Sequence, residues 1–173
     1  PYTAEYDFVY LLKDLTGDGY SKIERVHAYG ILGSTVTAQI LNYSYADFEK
    51  TDPVEITQRS GQELKVYYTR KSYTLSYQTN GGSYIEPQTG LYKEKLPITS
   101  VIPTKEGYTF AGWYTNKELT GSPVTGSIEL TGDQRLYAKW EPKMVTYTLV
   151  YYKQKYDNVT GTTNYVYDRA QSS

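Results

Sequence analysis

The sequence predicts a β-rich α+β chain of small modules in tandem, in which strands dominate and helices are short. Three observations lead there. Tyrosine supplies 22 of the 173 residues against three phenylalanines. Thr and Val are also frequent, and aromatic and β-branched side chains fit a pleated, half-buried surface. A Tyr-Thr pair followed by alternating apolar residues occurs three times, as YTAEYDF at Tyr2, YTLSYQT at Tyr73 and YTLVYYK at Tyr147, at spacings of 71 and 74 residues. The second and third copies each follow a similar closing segment, ELKVYYTRKS and QRLYAKWEPKMV. The expected modules are 1–72, 73–142 and 143–173, the last cut short.

In the first module YTAEYDFVYLLK reads as a strand and YSKIERVHAYG as its return. The segment between them, KDLTGDG, carries oxygen side chains at alternate positions in the manner of a calcium loop. Counted from Asp14, residues Thr16, Asp18 and Gly19 fit an EF-type loop, but position twelve, which needs a bidentate Glu, is Arg25. The third module shares only the Thr-Gly step, Thr160-Gly161 matching Thr16-Gly17, so the segment is read as a hairpin tip. Over 33–50, Ser34 or Thr35 offers a cap, and Val36, Ile40 and Tyr43 have partial helical spacing, which predicts one short helix. The closing strand places Leu64, Val66 and Tyr68 on one face.

In the second module Tyr73, Leu75 and Tyr77 face a core, and Asn80-Gly81-Gly82 supplies left-handed turn residues for a hairpin. Pro97 and Pro103 predict an irregular crossover where the first module has its expected helix. Tyr108 and Phe110 share a face, and Trp113, three residues on, returns to it only if Ala111-Gly112 forms a bulge. Leu136, Ala138 and Trp140 form the inner face of the closing strand. In the third module a lone hairpin over 147–169 is marginal in water. It is expected to pack on the middle module or to pair with another chain by strand addition.

Composition excludes several functions. The formal net charge is −1, from 18 basic and 19 acidic residues without a basic stripe, which argues against nucleic acid. The chain has no Cys, which excludes disulfides, thiolate catalysis and Cys-based zinc sites. The longest apolar run, FVYLL at 8–12, is far short of the roughly 20 residues needed to cross a bilayer, so no membrane insertion is expected. The chain opens on Pro1 without a signal peptide and reads as an excised piece of a longer protein.

The motifs Asn80-Gly81-Gly82, Pro103, Gly107-Tyr108-Thr109-Phe110, Gly112-Trp113-Tyr114 and Leu136-Tyr137-Ala138-Lys139-Trp140 resemble the Listeria–Bacteroides repeat, also called the internalin B B-repeat, over 73–142. Through YTAEY, LTGDGY, GSTVTA and LKVYYTR the flanking modules resemble mucin-binding-protein-like (MucBP-like) repeats. The resemblance implies tandem β-grasp, ubiquitin-like modules in an elongated array. It also implies an extracellular place on a bacterial cell surface, secreted or anchored to the cell wall, in a stalk that supports adhesion. It transfers no catalytic residues. Surface proteins of this kind also cross-link lysine to asparagine or aspartate, but no such triad is legible here.

No enzyme and no cofactor or metal site is expected. His27 is the single histidine and has no nucleophile near it in sequence. Glu24, Glu49, Asp52 and Glu55 are scattered acids of the kind any chain with 19 of them offers. Two functions remain open: a spacer whose partners are its own neighbouring modules, and modules that bind host-surface glycan, mucin or protein through outward tyrosines such as Tyr67, Tyr92, Tyr114 and Tyr152.

Overall fold

Alternation dictates the first strand. In β1 (Thr3–Lys13) Ala4, Tyr6, Tyr10 and Leu12 point inward and are buried. β2 (Tyr20–Ile31) returns antiparallel beside it. At the turn the Asp14 N–H donates to the Gly19 carbonyl (2.9 Å), and Gly17 adopts a φ of 74°. The loop is therefore a hairpin tip, and the Asp14 carboxylate accepts the Ser21 hydroxyl at 2.6 Å. β3 (Thr35–Val36), β4 (Ala46–Thr51), β5 (Val54–Glu55) and β6 (Gln62–Arg70) follow. The main sheet runs β2-β1-β6-β4 with β1 and β6 parallel at its centre, while β3 pairs with β5.

The computed structural model, which describes residues 1–172, repeats this plan. β7 (Ser72–Gln78), β8 (Gln88–Leu91), β9 (Lys95–Pro97), β10 (Tyr108–Tyr114), β11 (Ser127–Glu129) and β12 (Gln134–Pro142) form a sheet in the order β10-β12-β7-β8, with β7 and β12 parallel and β9 paired to β11. Small contacts recur as well. Gly33 and Lys93, both at positive φ, donate to the carbonyls of the fully buried Ile56 and Leu130. The Gln62 and Gln134 carboxamides both donate at 2.8 Å to a carbonyl of the preceding short strand. The backbone of Tyr2 meets Leu32 as that of Lys71 meets Tyr92, so the Tyr-Thr pairs at 2 and 73 are offset by two residues in the fold.

The structure is all-β: among the described residues there is no helix, and the expected helix over 33–50 does not form. Thr35 and Val36, β-branched, enter β3, and the chain then crosses the sheet as coil until β4. Buried tyrosines replace the missing helical hydrogen bonds. The Tyr10 hydroxyl donates to the Gln39 carbonyl (2.9 Å), and the Tyr68 hydroxyl donates to the Leu41 carbonyl and accepts its N–H, both at 2.9 Å. In the second unit, where an irregular crossover was expected, the Thr99 N–H donates to the Tyr77 hydroxyl (3.1 Å). A phenol thus adds both core area and a partner for coil backbone, which would otherwise be costly to bury.

The first unit has two apolar clusters along its sheet. Tyr10, Leu12, Ala38, Ala46, Val66 and Tyr68 form one, and Ala4, Tyr6, Ile56 and Leu64 the other. The second unit has a single core of Leu75, Tyr77, Ile85, Leu96, Trp113, Leu130, Leu136 and Ala138. The expected inner faces of β6, β7 and β12 agree with this burial, Tyr73 and Trp140 being half-buried at its edge. The hairpin after β7 is wider than expected. The turn at Asn80-Gly81 is tight, but β8 begins only at Gln88 and the chain between is not strand.

β13 (Thr148–Asp157) and β14 (Thr162–Ser172) form a separate two-stranded sheet. Of the two expected arrangements, packing on the middle unit or pairing with another chain, the first is not seen: the described residues of this hairpin are exposed on both faces apart from half-buried Asp157 and Asp168. Two strands alone supply no second layer to cover either face.

Candidate functional site

The sequence motifs of the second unit converge on one corner. Asn80 (φ 50°) and Gly81 (φ 88°) form a left-handed turn closed by the Gly82 N–H to the Thr79 carbonyl at 3.1 Å. The Asn80 carboxamide donates to the Ala138 carbonyl (2.7 Å), tying the turn to β12. The Trp140 indole donates to the Thr79 carbonyl at 2.7 Å, and its ring lies so close that a Cβ on Gly82 would fall 2.4 Å from it. Phe110 bridges the two tryptophans, with ring centroids 5.6 Å from Trp140 and 5.2 Å from Trp113.

The remaining motif residues aim these rings. The register of β10 on β12 shifts between Phe110 and Gly112, which is the expected bulge, and Trp113 is buried at 4%. Gly112 sits at a φ of 128° with Pro123 against it, a position for glycine alone. Gly107 (φ 75°) turns the chain into Tyr108, and Pro103 is fully buried under the crossover. The Lys105 ammonium lies 4.6 Å from the Tyr108 ring and 5.8 Å from Trp140, and donates to the Asn80 main-chain carbonyl at 2.9 Å. That lysine meets backbone oxygen rather than the carboxamide carbon a cross-link would need. Tyr114, expected to point outward, is buried at 5%.

A second constellation joins the first two units. One residue, Lys71, separates β6 from β7, and its N–H donates to the Tyr45 carbonyl at 3.0 Å. Arg70 donates to the carbonyls of Lys13 (2.8 Å) and Tyr92 (2.9 Å), thereby holding residues of both units. The Tyr92 ring stacks on Tyr45 with centroids 4.5 Å apart and an interplanar angle of 18°, and meets Tyr73 edge-on. The Tyr73 hydroxyl donates to the Ser44 carbonyl (3.2 Å). Tyr92, taken from sequence as an outward ligand platform, therefore packs in the joint. The signal that could have found it is the single-residue spacing between closing and opening strands, which forces units into contact.

Of the acids singled out from sequence, Glu24 accepts the Tyr43 hydroxyl (2.6 Å) and Glu49 accepts that of Tyr20 (2.7 Å). Burial first, and then Glu24, pushes the Tyr43 phenol far up. His27 Nδ1 lies 2.8 Å from Asp7 on the open face of the sheet, where Arg25 joins Asp7 to Glu63. Among the described residues no group of three His, Cys, Asp or Glu is placed to hold a metal ion, and no helix is long and apolar enough to cross a membrane.

The family model of the Listeria-Bacteroides repeat domain matches residues 73–139, the stretch that contains this corner apart from Trp140. Two curated proteins of Evansella cellulosilytica are similar to the chain. One, described as "Putative Gly-rich membrane protein", is 32% identical over 100 residues, covering 56% of this chain and 12% of that protein. The other, described as "Putative membrane protein", is 35% identical over 96 residues, covering 55% of this chain and 13% of that protein. The chain thus matches only about an eighth of the length of these curated relatives.

Proposed function

We propose that the chain is a non-catalytic repeat region of a bacterial cell-surface protein, serving as a spacer that holds other parts of that protein away from the cell. The observation that carries this reading is the joint of Arg70, Lys71, Tyr73 and Tyr92, which leaves one residue between successive sheets and fills the contact with aromatic rings. Short, packed joints between like units give an array whose neighbours stabilise one another. The repeat family matched over 73–139 and the great length of the relatives fit such a role. The central parallel strand pair of each four-stranded sheet fits a β-grasp module whose helix is replaced by coil, and a MucBP-like kinship of the flanking units belongs to the same proposal. An extracellular location at the bacterial cell surface, wall-anchored or secreted, belongs to the same proposal.

Small-angle scattering of the chain tests it. An extended, concentration-independent monomer is expected, and a compact particle would contradict it. The alternative, binding of host glycan or protein by the modules, is favoured by one feature: the exposed rings of Tyr2 and Tyr29 flank Arg59 beside an open depression lined by Thr3, Ala4 and Glu5. Glycan and mucin binding lost on Tyr29→Ala would favour this alternative, while no binding by the intact chain would remove it.

A further inference from the structure

We propose that the open face of the first sheet, around Tyr20 and Tyr67, binds an acidic polysaccharide that carries a carboxylate on alternate sugars. This goes beyond the spacer reading and uses a face apart from the Tyr2 and Tyr29 depression. The open face has two halves. Toward the Thr3 end its charges cancel: Asp7 meets Arg25 and His27, and Arg25 also reaches Glu63. Toward the Lys13 end they do not. Lys22, Lys50 and Lys65 are exposed there and Lys13 is half-buried. Among the described residues none of these four lysines is ion-paired. The nearby carboxylates are engaged: Glu49 accepts the Tyr20 hydroxyl (2.7 Å), Asp14 accepts that of Ser21, and Asp47 pairs with Lys71 at 3.8 Å. Asp18 lies out on the hairpin tip.

The register places these groups around an aromatic centre. One row runs across the whole sheet, Lys22 on β2, Leu11 on β1, Tyr67 on β6 and Lys50 on β4. At the usual strand spacing that row is about 14 Å wide, and Lys13 and Lys65 stand about 7 Å from it along β1 and β6. The Lys50 ammonium lies 5.2 Å from the Tyr67 ring centroid. Tyr20 starts on β2, its ring meets Tyr67 edge-on with centroids 4.8 Å apart, and its hydroxyl ends on Glu49 of β4. The Tyr20 ring therefore lies across the strands between, held at both ends. A ring fixed in this way offers a sugar an apolar face at little entropic cost.

Charge spacing and chemistry select the occupant. Ammonium groups on positions about 7–14 Å apart fit a chain with sparse charges, whereas a nucleic acid strand carries one about every 3.4 Å. The guanidinium of Arg25, whose planar fork suits bidentate recognition of phosphate, is already taken by Asp7 and Glu63. β1 and β6 are paired along both edges, so an extended peptide cannot add a strand at the centre of this face. A polysaccharide with acid groups on alternate rings meets two or more lysines while a neutral ring rests on Tyr20.

The test titrates a hyaluronan decasaccharide, which alternates acidic and neutral sugars, into the whole chain and follows binding by NMR. Shifts are expected at the Tyr20 ring and at the amides of Lys22, Lys50 and Lys65, with affinity falling as salt rises. Lys22→Gln with Lys65→Gln should weaken binding at least about tenfold. Glu49→Gln keeps an acceptor for the Tyr20 hydroxyl but removes a like charge, and should strengthen binding about twofold or more, a gain that a folding defect cannot imitate. Tyr29→Ala should change nothing, which separates this face from the other glycan reading. Absence of shifts, or shifts confined to Tyr2 and Tyr29, would overturn the proposal. Equal binding of a neutral chitin oligosaccharide, or tighter binding of a single-stranded oligonucleotide, would overturn it as well.

Discussion

Tyr68 is buried at 1% with its hydroxyl joined to both polar groups of the Leu41 backbone. Tyr68→Phe keeps the ring and strands those two groups, so the first unit should lose about 1–3 kcal/mol in chemical denaturation. Tyr10, Tyr68 and Tyr77 all have phenols raised above 10.0, in each case chiefly by burial. A raised phenol is neutral in both states below the ordinary tyrosine pKa, so its contribution to stability is complete there. Above it the unfolded chain ionises first, and the contribution is lost as pH rises toward the folded-state value. Unfolding on the alkaline side of pH 10 is therefore expected, with Tyr10, Tyr68 and Tyr77, followed by their own ring signals in NMR, ionising in step with loss of structure. Ionisation of these three phenols at the ordinary pKa without unfolding would contradict it.

At the scale of elements, much of the second unit was legible because its turns use residues with narrow conformational roles. Asn80-Gly81 and the Ala111-Gly112 bulge could be read directly, since left-handed turns and returned side chains demand such residues. Gly112→Ala should destabilise the unit by roughly 1–3 kcal/mol through strain at positive φ and the close Pro123. Gly132→Ala, with open space around it and no positive φ, is the neutral control in the same melting experiment. The crossover over 37–45 was misread as helix because Val36, Ile40 and Tyr43 mimic helical spacing. What decides against it is tertiary: phenols from β1 and β6, distant in sequence, satisfy the coil backbone. Tyr92 and Tyr114 were misplaced for a related reason. Alternation gives the face of a strand but not which loop or neighbouring unit covers that face.

The chain has two kinds of connection between its sheets. The first is one residue long and holds Arg70 and Tyr92 in contact across it. The second runs over 143–147, with Met144 93% and Val145 74% exposed and the Lys143 N–H bound to the Gly107 carbonyl at 2.8 Å. Protease should accordingly cut first at 143–147 and leave the first two units joined, whereas cleavage near Lys71 would speak against a packed joint. Because the chain has no Cys, Lys22→Cys with Lys117→Cys gives two exposed spin-label sites, one on each of the first two units. The decisive measurement is the distance distribution between those labels by pulsed electron spin resonance. The account predicts one narrow distribution, broadened when Arg70→Ala and Tyr92→Ala are added. A distribution already broad in the parent, and unchanged by those substitutions, would contradict a fixed joint and with it the spacer reading.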